Sequence, residues 1–434
     1  MTGPEPRGPA GPPPERTPPA GPVAPATDKP FTNTAIAILI LVNALAPLAT
    51  ATYLPALPIA QADLAASPVA MQLTLTTFIL GSAVGQLIVG PISDRTGRKG
   101  ALLVGLLLYV GASVGVALSP HVAWLIAWRV VQGIGAGAGM VLGRAIVADR
   151  ATGVTAAKLL GLMMAIGVVA PAIAPLLGVA LLRLTNWRGI FGTVVIVGVL
   201  LAVAIVLRLP ETRPRGQGRS HGVVADRSGG SWRRFLALVA AGGLAFAAMY
   251  ALIAAGPYLY QRQFGLSPEA YAGLTAVVSV GMGAVAFFGT RALGRSGPMG
   301  LVTPRLMAGI ALVVLAAGAL IVGAMHLLDA PVWAWIAALA LAMLPAGLAL
   351  GTLTALIMDA APIPPGGASA IAGVVQAALG AAMPPIVGLG GDAPGGVMAL
   401  ALLISALAAL TTFALSGGRR TGHAHRTPRP PRRS

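Results

Sequence analysis

Charge is what this sequence of 434 residues lacks most. Asp, Glu, Lys and Arg together make up 9% of it, where an ordinary soluble domain carries about 25%. So little charge cannot cover the surface of a soluble protein of this length, which excludes a soluble enzyme, a disordered chain and a nucleic-acid-binding domain. Cysteine is absent, so there is no disulfide, thiolate metal site or cysteine nucleophile. Acids are scarce, 12 against 29 Lys and Arg, and there are five histidines. There is no HExxH pair, no helical histidine cluster, no phosphate loop and no large polar domain. An enzyme or receptor therefore finds no support, and no metal or cofactor is expected. What is plentiful is apolar sequence: 56% of residues are hydrophobic, in runs of about 20, the length that spans a bilayer. The expected setting is a lipid bilayer and the expected class an all-α membrane protein.

Twelve such runs are read as helices, near residues 32–54, 69–91, 100–119, 121–147, 158–182, 189–209, 234–258, 269–290, 303–327, 332–358, 366–389 and 395–416. Barrel strands would be about ten residues long and alternating; these runs are longer and continuous. Residues 1–31 are rich in Pro, Gly and Ala without an apolar core, which reads as a disordered tail rather than a cleavable leader. Residues 210–233 are polar and Gly-rich and read as a flexible linker. They divide the chain into six-helix bundles at 32–209 and 234–416, followed by a basic tail at 417–434.

The net charge of +17 comes from 26 Arg and 3 Lys. These bases sit in short segments between the apolar runs, the positive-inside pattern, and do not point to nucleic acid. The bias toward Arg, Gly and Pro fits a GC-rich coding sequence. With both termini on one side, that side holds 24 basic residues and the other 3, namely Arg183, Arg188 and Arg262. Both termini are therefore expected in the cytoplasm.

Three segments carry candidate mechanism. In GPISDRTGRKG (residues 90–100), Gly90 and Gly97 permit a tight turn or close approach. Asp94 stands beside Arg95, Arg98 and Lys99, where a carboxylate can pair with a guanidinium and latch two halves shut; the plainer reading of the bases is topology alone. A similar short basic segment follows the eighth run, a weak internal repeat that suggests two parallel-related bundles. The fourth run, from Arg129, reads RVVQGIGAGAGMVLGRAIVADR. An arginine inside a span is costly and functional by default, with Gln132 at i+3 on the same face. Gly133, Gly135, Gly137 and Gly139 allow close helix packing. Arg129 could equally be a buried hydrogen-bonding hub, and Arg144 and Asp149 lie near the inner end, Asp149 within reach of Arg144 or Arg150. In the fifth run Pro171 and Pro175, flanked by Gly167 and Gly178, kink a helix and free carbonyls; such a helix can act as a pivot or seal.

These segments resemble the major facilitator superfamily: its loop motif in GPISDRTGRKG, its helix-4 arginine motif, and the helix-5 antiporter motif of twelve-helix drug:proton antiporters. TYLPALPIAQADL, AGPYLYQRQFGLSPEAYAGL and GGASAIAGVVQAALGA resemble the bicyclomycin- and chloramphenicol-resistance (Bcr/CflA-type) branch. The resemblance covers roughly residues 32–416. It implies two six-helix bundles around a central cavity and efflux of small amphiphilic drugs from the cell membrane, coupled to protons and working as a monomer. Relatives usually carry an Asp two positions before the tyrosine of YLPALP; here that position is Ala51, and no acid or histidine falls clearly at midplane. Proton coupling is then expected to be weak or to use another acid. The cavity is expected to be apolar, with Asn43, Gln86, Arg129, Gln132, Tyr250, Tyr258 and Gln376 as its polar groups, suited to uncharged or anionic amphiphiles. An uptake or facilitated carrier for a small metabolite is the alternative on the same fold.

Overall fold

The computed structural model describes residues 32–151, 153–212, 231–294, 296–297 and 300–417. The expectations for the two tails and most of the linker fall outside the described residues. Among the described residues, eleven helical segments are long and apolar enough to cross a membrane. The long helix α6 (Gly153–Leu184), apolar over 170–184, makes the twelfth crossing.

The N-terminal half contains α1 (Asn33–Tyr53), α2 (Leu57–Asp63), α3 (Pro68–Thr96), α4 (Arg98–Ala117), α5 (Val122–Arg150), α6 and α7 (Trp187–Arg208). The C-terminal half contains α8 (Trp232–Tyr258), α9 (Pro268–Ala292), α10 (Pro304–Leu327), α11 (Val332–Met343), α12 (Ala346–Ala360), α13 (Pro365–Gly388) and α14 (Gly395–Leu415). A hairpin of two-residue strands, Ser296–Gly297 and Gly300–Leu301, joins α9 to α10. Local chemistry sets the helix starts. The hydroxyls of Ser67, Ser267 and Thr303 accept from the third residue on, and a proline follows each at the first helical position, where its missing N–H costs nothing. The two Ser-Pro starts open the second crossing of each half.

Buried apolar residues form three clusters. One is confined to the C-terminal half and one to the N-terminal half, so each half is a bundle with its own core. The third draws on both, with Tyr53, Leu57, Trp187 and Phe191 from one and Ala254, Tyr258 and Tyr271 from the other. Between bundles, α3 packs on α13 and α6 on α9. We name the face bearing Thr32 and Gly417 the terminal face, and its opposite the distal face.

Several boundaries differ from the sequence reading. The first crossing continues past Tyr53 through a 3-10 turn at Leu54–Ala56 into α2. The second does not stop at the glycine of GPISD. It runs through Pro91 to Thr96, so Gly90 is an ordinary helical residue whose β-carbon would meet only Val141. The turn belongs to Gly97 alone, at φ 104°, a conformation that favours glycine. The tenth crossing is broken at Leu344–Pro345 into α11 and α12, because proline cannot donate to the preceding turn. The seventh ends in a π-helical turn, Leu259–Gln263.

Candidate functional site

On the terminal face, Arg98 is a hub. Its Nη1 reaches Asp94 at 2.6 Å and Ser93 Oγ at 2.6 Å, and its Nε reaches Asp149 at 2.9 Å. The buried guanidinium thus ties α3 to the end of α5. Asp149 pairs here and not with Arg144 or Arg150, because the short turn at Gly97 aims Arg98 back at α5. Asp94 itself is exposed, as is Arg95. Sequence reasoning missed Glu211. Its carboxylate, just past α7, accepts from the backbone N–H groups of Arg98 and Lys99 at 2.9 and 3.2 Å and packs on Gly97. It caps α4 where the helix dipole is positive. Lys99 Nζ donates to Val206 O at 2.9 Å. An acid two residues past an apolar run was the available signal. The bonds just given lie within the N-terminal bundle.

Helix α5 is held by its glycines. A β-carbon on Gly133 or Gly137 would collide with the backbone of α3, one on Gly135 would lie 2.6 Å from Gly105 O of α4, and one on Gly139 would lie 2.9 Å from Val42 of α1. Gly81 and Gly85 of α3 lack room in the same way against Val130 and Ile134. The alternating glycines thus bring three helices around α5 and set the depth of Arg129. Arg129 is fully buried. Its Nε donates to Thr74 O at 3.2 Å and its Nη1 to Gln132 Oε1 at 2.8 Å; Gln132 Nε2 donates on to Ser113 Oγ at 2.7 Å. The guanidinium carbon stands 4.2 Å from the Phe78 ring centre, 5.6 Å from Tyr53 and 6.0 Å from Phe191. Among the described residues, its Nη2 and the Tyr53 hydroxyl have no hydrogen-bond partner within 3.5 Å.

The bundles meet on the distal face. Gln72 donates to Ala254 O at 2.7 Å, Thr76 to Ala381 O at 2.6 Å, Gln261 to Pro55 O at 3.2 Å and Arg262 to Pro58 O at 3.0 Å, and Arg183 pairs with Glu269 at 3.1 Å. The π-helical turn presents Gln261 and Arg262 to the carbonyls of Pro55 and Pro58. Asp63 holds the same corner by accepting from Trp187 Nε1 at 3.0 Å and from Arg188. The joining groups just named all belong to the distal half. Toward the terminal face, a β-carbon on Gly366 or Gly373 of α13 would meet no heavy atom within 4 Å.

Of the expected cavity residues, Gln86, Tyr250 and Gln376 are half-buried. Gln86 Oε1 accepts from Arg144 at 3.3 Å, Tyr250 packs against Phe246 with ring centres 4.7 Å apart and the rings tilted by 41°, and Gln376 faces Gly242. Of the others, Arg129 and Gln132 are fully buried within the N-terminal bundle, and two more are closed off. Asn43 is buried and ties α1 to α6 by donating to Met163 O at 3.1 Å. Tyr258 is fully buried in the shared distal cluster. In α6, Pro171 and Pro175 lie within one continuous helix, as does Gly167. A β-carbon on Gly178 would collide with the Thr52 carbonyl of α1, so that glycine serves packing inside its own bundle, while α6 also packs on α9. Ala51 is buried in the shared cluster. The eight described acids lie at or beyond helix ends: Asp63, Asp94, Asp149, Glu211, Glu269, Asp329, Asp359 and Asp392.

Two apolar bundles joined on one face, with polar clusters at the ends of spanning helices, define a multi-pass membrane transporter. The profile described as Major Facilitator Superfamily matches residues 39–385, and the chain belongs to that superfamily. It is 32% identical over 389 residues to the "Uncharacterized MFS-type transporter YdgK" of Bacillus subtilis (strain 168), covering 88% of this chain and 95% of that one. It is 31% identical over 266 residues to the "Multidrug resistance protein MdtL" of Escherichia coli O81 (strain ED1a), covering 60% and 68%. Among solved structures, a D-xylose-proton symporter matches with a TM-score of 0.69 at 15% identity, over 89% of this chain and 99% of that one. A bacterial homologue of the human lysosomal transporter Spinster, inward-facing and unoccupied, matches at 0.66 and 17%, over 89% and 96%. At these identities the structural likeness concerns the fold.

Proposed function

We propose that this protein exports small amphiphilic compounds across the plasma membrane by alternating access, with its terminal face in the cytoplasm. The distribution of 24 basic residues against 3 supports that orientation. The observation that carries the reading is the asymmetry between faces: among the described residues, the side-chain bonds between the bundles all fall in the distal half. With the terminal face inside, this is an inward-open state, ready to load from the cytoplasm or inner leaflet. The likeness to a multidrug resistance protein supports amphiphilic cargo.

In this reading the Asp94–Arg98–Asp149 cluster is the inner gate. It is satisfied within one bundle while the inside is open, and Asp94, exposed here, engages the other bundle when the inside closes. The cavity wall is apolar, with Gln86, Tyr250 and Gln376 as its polar contacts, and one chain suffices as a monomer. The proton drive of the resembling antiporters requires an acid that meets both sides in turn, and Ala51 occupies its usual place. That absence favours one second reading, a carrier that lets a small metabolite move down its gradient. Accumulation of an antibiotic and dye panel, with and without the protein in a pump-deficient host, decides between them. Lower accumulation is expected for export; unchanged drug levels with faster entry of a metabolite overturn it.

A further inference from the structure

We infer that the transported species is an amphiphilic anion, bound at Arg129 and exported electrogenically by the membrane potential without proton exchange. The inference rests on the export reading and names its substrate class and driving force.

Two guanidiniums lie along α5, Arg129 about 10 Å from its distal end and Arg144 about 9 Å from its terminal end. Neither has a carboxylate partner among the described residues. Arg144 bonds to the Met140 carbonyl and the Gln86 amide; Arg129 bonds to the Thr74 carbonyl and the Gln132 amide. Both are thus oriented by neutral acceptors that leave the charge uncancelled. The described acids are remote, at helix ends, where Arg98, Arg183 and Arg188 already engage Asp149, Glu269 and Asp63. Ala51, two residues before Tyr53, is a buried methyl group in the cluster that also holds Tyr53 and Phe191. Phe78, Tyr53 and Phe191 offer the cation their ring faces, a partial compensation. They also form an apolar wall suited to the rest of an amphiphile. Among the described residues, one donor, Nη2, is left over in a fully buried site, with the Tyr53 hydroxyl also lacking a hydrogen-bond partner.

A carboxylate or sulfonate meets this arrangement: one oxygen on Nη2 and another on the Tyr53 hydroxyl, with Arg144 further along α5 toward the terminal face. An arginine does not release its proton, so the empty site is a fixed cation and the loaded site is neutral. Each cycle then moves one negative charge outward, the direction an inside-negative potential favours. A monovalent anion driven this way reaches about a tenfold concentration ratio per ~59 mV, and no midplane acid is required.

The test uses the purified full chain in vesicles of phosphatidylethanolamine and phosphatidylglycerol, with three probes of one shape: naphthalene-1-sulfonate, naphthalene-1-sulfonamide and 1-naphthyltrimethylammonium. Valinomycin and potassium gradients set the potential. Efflux of the sulfonate is expected to accelerate with the interior negative, to slow with it positive, and to ignore a pH gradient at zero potential. Arg129→Gln is expected to lose this transport. Because that variant could fail to fold, Ala51→Asp provides a second arm: it keeps Arg129, supplies the missing counter-charge, and should cut sulfonate transport at least tenfold while conferring a response to the pH gradient. Transport of any compound with exclusion of the sulfonate overturns the anion assignment and leaves export standing. Sulfonate transport driven by pH and indifferent to potential overturns the electrogenic cycle. If none of the three probes moves and no antibiotic is exported from cells, the transport reading itself falls.

Discussion

Arg98 has two carboxylate partners in different surroundings, and the difference makes them separable. Asp94 is 61% exposed and four residues away across the turn at Gly97, whereas Asp149 is 19% exposed and lies on α5. An exposed pair contributes about 0.2–1 kcal/mol. Removing the Asp149 charge leaves a largely buried guanidinium under-paired and costs about 1–3 kcal/mol. Asp149→Asn should therefore lower the thermal unfolding midpoint of the detergent-purified protein measurably, and Asp94→Asn should scarcely change it. If Asp94 serves the gate, Asp94→Asn nonetheless reduces drug export strongly at normal membrane abundance. A fall in export that tracks folded protein returns Asp94 to a structural role. Glu211→Gln belongs to the same scale. An amide oxygen still caps α4 but without the charge that the helix dipole favours, so about 0.3–1 kcal/mol should be lost, with the turn at Gly97 otherwise intact.

At the scale of elements, α5 is positioned by the absence of β-carbons. Gly137→Ala places a methyl group on the Ser82 carbonyl, and backbone cannot step aside as a side-chain tip can. Overpacking of this kind costs about 1–3 kcal/mol, and here it would also displace Arg129 and Gln132 from their partners on α3 and α4. The control is Gly111→Ala in α4, where no atom lies within 4 Å of the new carbon; alanine there should gain about 0.5–1 kcal/mol of helix propensity. Thermal unfolding of the two variants side by side checks the contrast, and equal stability would mean that α3 and α5 are not in contact as described. The break at Leu344–Pro345 and the π-helical turn at Leu259–Gln263 are further departures from regular helix. The second frees Gln261 and Arg262 to reach the carbonyls of Pro55 and Pro58.

For the whole molecule, alternation requires the distal contacts to part. The chain has no cysteine, so introduced pairs carry no background. Arg183→Cys with Glu269→Cys replaces the exposed ion pair between α6 and α9. A short bis-thiol cross-linker should react with this pair in the inward-open state, holding the distal face shut and abolishing transport, while each single variant remains active. Full transport after complete cross-linking would show that the distal seam does not open. The orientation is tested separately: a reporter fused after Ser434 should be active only in the cytoplasm, and activity outside the cell would reverse which state the structure represents.

The sequence alone determined that the chain crosses a membrane many times, that its basic residues cluster between the apolar runs and that acids are scarce within them; it also set the expectation of a division six and six. These are one-dimensional properties: apolar run length against bilayer thickness, a polar interruption, and a count of charges. The resemblance carried by GPISDRTGRKG and the arginine segment of α5 reached the superfamily for the same reason, since those residues are contiguous. Tertiary structure decided the rest. Asp149 could be paired by proximity in sequence with Arg144 or Arg150, yet it meets Arg98, 51 positions away, because helices bring together residues that spacing along the chain cannot relate. Glu211 reaches Gly97 across 114 positions. Asn43 and Tyr258 look like cavity polar groups in isolation and are buried where α1 meets α6 and where the two halves meet. Which face is closed is likewise a property of the two bundles together, written in contacts such as Gln72 to Ala254 and Thr76 to Ala381. No local pattern encodes them, because the same side chains would bond elsewhere once the bundles rock apart.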